Sequence, residues 1–235
     1  MAVDEALLKA AIDRNECVLR LYRWSEATVS LGYFQKAEAE TTSPELTRLP
    51  WVRRLSGGGA ILHHHELTYS CVVPALHELA RSHQDLYECV HTRIISLLRK
   101  LDIPARMRGT ARDQQQQPFL CFGREDPRDL ILKDQKILGS AQRRRRGAIL
   151  QHGSLLLKCS QHAPQHPGLW DLCGCWKLEQ RLTQAFAAEV GSLLGEQAVH
   201  STLTDEDRRC AEVLQHQRYA TLEWKKTDAG KRVET

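Results

Sequence analysis

The stretch Arg53-Arg-Leu-Ser-Gly-Gly-Gly-Ala-Ile-Leu-His63 decides the fold that we expect for this chain. Short apolar runs predict one strand over 51–55 and another over 60–63, with three glycines between them. Glycine lets the backbone approach a ligand with no side chain in between. Consecutive amides can then face an anion, and Arg54 adds a charged fork for phosphate or carboxylate. A Gly-rich hairpin turn that binds no ligand is the alternative explanation of the three glycines. The spacing of the glycines fits neither a Walker loop nor a dinucleotide-binding fingerprint.

A lysine strand supplies the second candidate element. Lys136-Ile-Leu-Gly-Ser-Ala141 begins with a lysine and ends in small residues. Its ammonium can therefore lie along a groove floored by backbone and hold a phosphate, polarise a carbonyl or activate a nearby thiol. The alternative is a surface lysine beside a tight turn. Further on, His152 is a candidate base, although a histidine next to a Gly-Ser turn more often has a structural role.

The third candidate is Cys121, fifteen residues before Lys136. A cysteine between apolar residues usually belongs to the core. Here it follows a polar stretch, 108–118, that we expect to be a mobile surface loop, with Gln114–Gln117 as a possible lid. Between that loop and the lysine strand, Cys121 is alternatively an exposed nucleophile poised by the lysine.

Composition sets the class of protein. The chain has 235 residues, 42% of them apolar and 26% charged, which is typical of a soluble globular protein of one or two domains. The net charge of +4 is modest. The run Arg143–Arg146 favours a local acidic partner over nucleic acid, and the alternative is a solvated charged loop. Apolar runs are too short for a membrane helix. The acidic start argues against a signal peptide, so we expect a cytoplasmic protein with reduced cysteines.

Metal binding is not expected. Cys173-Gly-Cys175 has one residue between the cysteines instead of the usual two, and no second pair completes a tetrahedral site. His63, His64 and His65 are consecutive, and neighbours along a strand point to opposite faces, so all three cannot bind one ion.

Periodicity predicts helices over 3–13, 36–48, 82–101, 177–194 and 204–219, the last with a capping box at Thr204. Strands alternate with them without a clean βαβ rhythm. We therefore expect an α/β (α+β) fold in which helices pack on the faces of a mixed sheet. Residues 1–225 are expected to form one catalytic domain and 226–235 a frayed tail.

The motifs together resemble the superfamily of lipoate–protein ligases, octanoyltransferases and biotin–protein ligases, most closely its lipoate branch. Eight ordered segments carry the resemblance: Asp4–Leu8, Leu19–Trp24, Ser30–Gln35, Arg53–His63, Glu66–Ser70, Lys136–Gln142, Leu150–Ser154 and Tyr219–Trp224. The resemblance implies a mixed α/β fold like the catalytic domain of biotin and lipoate ligases. In that fold the Gly-rich hairpin and the lysine strand embrace an acyl chain and its activated carbonyl.

Site residues follow from the same resemblance. The segment Cys121–Leu130 looks like the one that carries the acyl-thioester cysteine in Gram-positive-type octanoyltransferases, which makes Cys121 the expected nucleophile. Lys136 would contact the acyl carbonyl or adenylate. The expected substrate-binding residues are Arg54, Ser56, Gly57, Gly58, Gly59, Ala60, Ile61, Leu62, His63, Gly139, Ser140, Ala141, His152 and Gly153.

The resemblance is compatible with two different reactions. An octanoyltransferase would move octanoyl from acyl-carrier protein to a lysine of a lipoyl domain or glycine-cleavage H protein, without ATP. A lipoate–protein ligase would use ATP and Mg²⁺ to make lipoyl-AMP first. Gly59 is ligase-like, since those transferases commonly carry arginine there, whereas the remaining segments favour the transferase. A non-catalytic acyl-binding protein is the third reading. We expect a monomer, and the acyl length and the carrier that is modified stay open.

Overall fold

The computed structural model describes residues 1–36, 44–111, 118–174 and 176–226. Its helices are α1 (Ala2–Arg14), α2 (Pro44–Thr47), α3 (His83–Lys100), α4 (Leu169–Cys173), α5 (Glu179–Gly191), α6 (Asp205–Leu214) and α7 (Leu222–Lys226). Its strands are β1 (Val18–Tyr22), β2 (Thr28–Leu31), β3 (Trp51–Arg53), β4 (Ile61–His63), β5 (Glu66–Val73), β6 (Arg106–Met107), β7 (Leu130–Leu132), β8 (Gln135–Arg145) and β9 (Ala148–Leu156). Short 3₁₀ turns cover Glu78–Ala80, Cys121–Gly123 and Trp176–Leu178, and a π-turn covers Gln215–Tyr219.

Two sheets organise the chain. A six-stranded antiparallel sheet has the order β1-β5-β9-β8-β7-β6, and a three-stranded sheet has the order β3-β2-β4. In the smaller sheet β2 pairs in parallel with β3 and antiparallel with β4. The expected α/β fold with a mixed sheet is therefore confirmed.

Helices cover both faces of the large sheet where its central strands carry apolar side chains. Tyr69 and Cys71 of β5 pack with α3 and α5, whereas Val72 packs with α1 and α6. Leu150 of β9 lies on the same side as Val72. A third cluster, which includes Val29 and Ala60, fills the space under the small sheet. This alternation follows from the two-residue period of a strand.

Several predicted elements change in extent. Strand β8 continues through Arg145, so the arginine run lies on a strand and its hairpin turn and not in a loop. His152 lies inside β9, because the expected Gly-Ser turn does not form there. In the predicted helix 36–48 only Pro44–Thr47 is described as helical. The side chain of Thr204 caps α6 by accepting from the Asp207 amide, as its capping box predicts.

Some expectations fall on residues that the structure does not describe. These are the Gln114–Gln117 loop, Cys175 and the tail from 227 onward. Within the described part of the chain, no helix has the length and apolarity needed to cross a membrane.

Candidate active site

A cavity lies where β4 and the Gly-rich loop face strands β5, β8 and β9, and the space between its walls, open mouth included, is about 480 Å³. Ten of the predicted site residues line it: Arg54, Gly58, Ile61, His63, Cys121, Gly139, Ser140, Ala141, His152 and Gly153. The structure thus brings together residues that lie up to about a hundred positions apart in the sequence.

Six predicted residues support the cavity and do not line it: Ser56, Gly57, Gly59, Ala60, Leu62 and Lys136. Ala60 is fully buried and bridges to Leu120. The ring of Phe34 occupies the space beside Gly57, 3.6 Å from where a Cβ would lie. Leu62 lines a second cavity. Their position indicates that they shape the wall from behind.

Five lining residues were not predicted: Met1, Tyr22, Thr68, Phe122 and Ser154. Thr68 of β5 and Ser154 of β9 are paired neighbours on the large sheet. Both are buried polar residues on strands that are otherwise rich in apolar residues. A polar residue at every second position of an apolar strand is the signal that would have found them.

Lys136 forms the chemical centre of the site. It is buried, and its Nζ lies 2.9 Å from Asp129 Oδ1 and 3.9 Å from Cys121 Sγ. It also donates to the main-chain oxygens of Cys121 (3.1 Å) and Arg124 (3.3 Å). Burial raises the pKa of Asp129, an effect that the Lys136 charge offsets only in part. The ammonium thus lies between the Asp129 carboxylate and the Cys121 sulfur.

The Gly-rich loop holds Cys121 at the cavity. The Cys121 amide donates to the Ala60 carbonyl at 2.6 Å, and the Ala60 amide donates to the Phe119 carbonyl at 3.0 Å. The chain then turns through Cys121–Gly123, which leaves the thiol partly exposed. The interpretation of Cys121 as a wholly buried core residue is therefore wrong.

Gly59 makes room for an arginine from elsewhere in the chain. A Cβ on residue 59 would lie 2.5 Å from Arg124 Nε and 2.7 Å from its Cζ. Arg124 also donates from Nε to the Pro118 carbonyl at 2.6 Å. A guanidinium thus packs against the glycine from the segment that carries Cys121.

Arg54 fixes the shape of the glycine loop. Its Nη2 donates to the carbonyls of Gly57 and Gly59, each at 2.7 Å, and its Nη1 donates to the Ser30 carbonyl at 2.9 Å. Gly58 has φ of 90°, a conformation that favours glycine. Burial lowers the pKa of Arg54 to about 10, so it stays charged at neutral pH. The arginine predicted to bind an anion is engaged instead with backbone carbonyls.

His152 links the loop to α1. Its Nε2 is in a short hydrogen bond with the Ser56 hydroxyl, and its Nδ1 lies 3.6 Å from Asp4 Oδ2. Burial lowers the pKa of His152, although Asp4 opposes this. A neutral ring with its proton on Nδ1, toward the carboxylate, accepts from Ser56 at Nε2.

A second histidine is bonded at both ring nitrogens. His63 Nδ1 lies 2.7 Å from Glu66 Oε1, and its Nε2 lies 2.7 Å from the Ser30 hydroxyl. The indole of Trp24 stacks on the His63 ring with centroids 4.1 Å apart. Burial alone would raise the pKa of Glu66, but His63 and the neighbouring hydroxyls of Thr68 and Ser154 lower it overall.

Ser140 is held from the α3 side of the sheet. Its hydroxyl is within 2.6 Å of the Tyr69 hydroxyl and 2.7 Å of His91 Nε2. Its carbonyl accepts from the Tyr87 hydroxyl at 2.6 Å. Burial lowers the pKa of His91 to about 4, so this histidine is neutral under physiological conditions. The network fixes the floor of the cavity beside Gly153.

Of the three consecutive histidines, only His63 lies on a strand, so the expected alternation along a strand does not apply to the other two. Strand β4 ends at His63, and the rings of His64 and His65 stack in the following turn with centroids 3.6 Å apart. Among the described residues, no group of three or more His, Cys, Asp or Glu side chains is arranged to hold a metal ion.

Comparison with known proteins decides the family. The sequence model of the lipoyl protein ligase A/B catalytic domain matches residues 1–194. The chain belongs to the lipoyl protein ligase A/B catalytic domain family. The octanoyltransferase LipM of Brevibacillus brevis is 32% identical, with 95% of this chain and 92% of that protein covered. The octanoyltransferase LipM of Kyrpidia tusciae is 33% identical with the same coverage.

Solved structures agree on the fold of the family. A putative lipoate protein ligase from T. acidophilum superimposes with a TM-score of 0.77 at 23% identity, covering 98% of this chain and 92% of that chain. At 23% identity this similarity shows only that the two chains share a fold. The resemblance to the lipoate branch is confirmed by the family match.

Proposed function

We propose that this chain is an octanoyltransferase of lipoate synthesis that carries the octanoyl group as a thioester on Cys121. The observation that carries the proposal is the 3.9 Å separation of Lys136 Nζ and Cys121 Sγ at the edge of the cavity. The two relatives that match nearly the whole chain are octanoyltransferases. A partly exposed thiol beside a buried ammonium is the arrangement that nucleophilic cysteine catalysis requires.

In the first step the Cys121 thiolate attacks the carbonyl carbon of an octanoyl thioester. The new carbon–sulfur bond forms at Sγ, the bond to the donor's sulfur breaks, and the donor thiol leaves with the proton that Cys121 gave up. The Lys136 ammonium is placed to stabilise the thiolate, and solvent carries the proton from Cys121 to the departing donor sulfur.

In the second step the amine of a carrier lysine attacks the Cys121 thioester. An amide bond forms, the bond to Sγ breaks, and the proton lost by the amine returns to the sulfur. Because the acyl group enters already activated as a thioester, the cycle needs neither ATP nor a metal ion. The octanoyl chain would lie in the cavity along the backbone of Gly139 and Gly153.

The expected partners are octanoyl–acyl-carrier protein as donor and a lipoyl domain or glycine-cleavage H protein as acceptor. The hairpin of β8 and β9 presents four consecutive arginines, and Arg144–Arg146 are exposed. Arg143 lies over the Tyr33 ring at 5.1 Å, next to the exposed Phe34. A cationic and aromatic surface of this kind favours docking of an acidic carrier.

The test is transfer of octanoyl from acyl-carrier protein to a purified lipoyl domain, without ATP. We expect wild type and Cys89→Ser to be active, since Cys89 lies on α3 away from the cavity. Cys121→Ser should lose about 10³-fold or more in rate, because a hydroxyl is a far weaker nucleophile than a thiolate. Full activity of Cys121→Ser would contradict the proposal.

The ligase alternative has its own outcome in the same assay. The triplet Gly57–Gly59, which is typical of ligases, favours it. If acceptor modification required lipoate, ATP and Mg²⁺ and did not occur from octanoyl–acyl-carrier protein, the chain would be a lipoate–protein ligase. Cys121 would then be a wall residue.

A further inference from the structure

A second cavity shares the side chain of Phe122 with the first one. The space between its walls, open mouth included, is about 350 Å³, and its apolar wall includes Leu62, Leu120 and Phe122. Phe122 also lines the acyl cavity and follows Cys121 directly in the chain. The second cavity therefore lies beside the segment that carries Cys121, whereas the octanoyl chain is assigned to the first cavity.

Basic and neutral polar side chains line the rest of this cavity: His64, His65, Lys158, Ser160 and His166. His64 Nδ1 is 2.9 Å from the Ser160 hydroxyl, which fixes the ring. The His166 ring lies 6.3 Å from the Phe122 ring, centroid to centroid. Lys158 is exposed at the rim.

The side chains that line this cavity suit an anion, because Lys158 is basic and the imidazoles can donate hydrogen bonds. Of the described residues that line it, none is an aspartate or glutamate. Burial lowers the pKa of His64, and the neighbouring His65 and His162 lower it further. Burial also lowers the pKa of His166, with a contribution from Lys136. These groups repel one another when protonated, and a bound anion would relieve that repulsion.

We propose that the second cavity binds the phosphopantetheine arm of the acyl donor, with its phosphate against His64 and Lys158. This inference rests on the proposed function, because it assigns the second cavity to the donor of the same reaction. The arm has an apolar and amide chain that suits the wall of Leu62, Leu120 and Phe122, and it ends in a phosphate ester. A lysine ammonium and an imidazole N–H both donate hydrogen bonds to phosphate oxygens.

Two small acyl donors show how much the phosphate contributes to the reaction. Octanoyl-pantetheine and octanoyl-4′-phosphopantetheine carry the same thioester and differ only in the terminal phosphate. The rate constant for thioester formation on the protein is measured by intact mass for each donor. We expect the phosphorylated donor to react about tenfold faster at low concentration, the gain typical of one charge-assisted hydrogen bond.

The variant His64→Gln/Lys158→Gln should reduce the ratio of the two rate constants toward one. The matched control is His200→Gln/Lys226→Gln, which changes two exposed residues outside both cavities and should keep the wild-type ratio. Because the measure is a ratio within one protein, partial misfolding of a variant does not change it.

Three results would overturn the inference. Equal reactivity of the two donors with wild type would overturn it, and so would an unchanged ratio in the double variant. Competition by AMP, with none by phosphopantetheine, would assign the phosphate chemistry of the cavity to a nucleotide instead. By contrast, the absence of any thioester with either donor would contradict the proposed function itself.

Discussion

Two buried, hydrogen-bonded pairs of side chains flank the cavity, and only one of them lies next to a thiol. On the β4–β5 side His63 contacts Glu66 at 2.7 Å, and its other nitrogen is bonded to Ser30. On the β7–β8 side Lys136 contacts Asp129 at 2.9 Å and still lies 3.9 Å from the Cys121 sulfur. The first pair has no ring nitrogen left for a substrate, whereas the second faces a thiol.

A residue that lines the cavity need not have a group available for chemistry, and a residue behind the wall can have one. His63 borders the cavity, yet both of its nitrogens serve the protein. Lys136 lies behind the wall, yet its ammonium lies 3.9 Å from the Cys121 sulfur. We therefore propose a structural role for the His63–Glu66 pair and a catalytic one for the Lys136–Cys121 pair.

The largest expected effect is that of Lys136→Met. Loss of the ammonium should lower the transfer rate by about 10²–10³-fold, the size seen when one preorganised electrostatic group is removed. Because Asp129 is then buried without its partner, the free energy of unfolding should also fall, by about 3 kcal/mol. Urea denaturation and the transfer assay measure the two effects separately.

The double variant Lys136→Met/Asp129→Asn separates catalysis from stability. It removes both charges, so most of the lost stability should return, while the transfer rate stays low. Recovery of the rate together with stability would show that Lys136 is only structural.

Glu66→Gln should lower the stability of the fold and leave the transfer rate nearly unchanged. It keeps the shape but removes the charge beside His63, so the free energy of unfolding at pH 7 should fall by about 2 kcal/mol, with the rate per folded molecule changed less than threefold or so. Since folding lowers the pKa of Glu66 from its ordinary value of 4.5, its stabilisation is present above that pH and is lost as the pH falls through the folded-state value. Denaturation at pH 7 and pH 4 should show a smaller pH dependence in the variant. A rate loss as large as that of Lys136→Met would contradict the assignment.

The smallest effects compare two glycines of the wall. A Cβ at Gly153 would lie 2.3 Å from the Ser140 hydroxyl and 2.5 Å from the Tyr69 ring, both of which are fixed. Gly153→Ala should therefore destabilise by about 2 kcal/mol. At Gly59 the close neighbour is the flexible side chain of Arg124, so Gly59→Ala should cost below about 1 kcal/mol. Thermal unfolding of both variants measures this order, and the reverse order would contradict the packing.

The proximity of Lys136 and Cys121 could be predicted from the sequence because its signals are local. A lysine at the start of a strand that ends in small residues, and a cysteine before it, are visible in the chain. Sequence reasoning missed Thr68 and Ser154 because their shared position depends on the pairing of β5 with β9, which places them side by side. Strand pairing is a property of the register and not of either segment alone.

Long-range contacts also explain the other differences. Arg54 was expected to bind an anion, but the carbonyls of Gly57 and Gly59 turn toward its guanidinium once the loop closes. His152 was placed at a turn, yet the ladder with Ala141 keeps it inside β9. In both cases the tertiary partner, which the local pattern does not contain, determines the role.

The most direct test of the central claim is to locate the acyl group during turnover. Wild type is mixed with octanoyl–acyl-carrier protein, quenched with acid on the millisecond scale, digested and analysed by mass spectrometry. We predict an octanoyl group on the peptide that contains Cys121. Hydroxylamine should release this octanoyl group, and the group should disappear when a lipoyl domain is added. Octanoylation of the lipoyl domain without any adduct on Cys121 at any time would contradict the account.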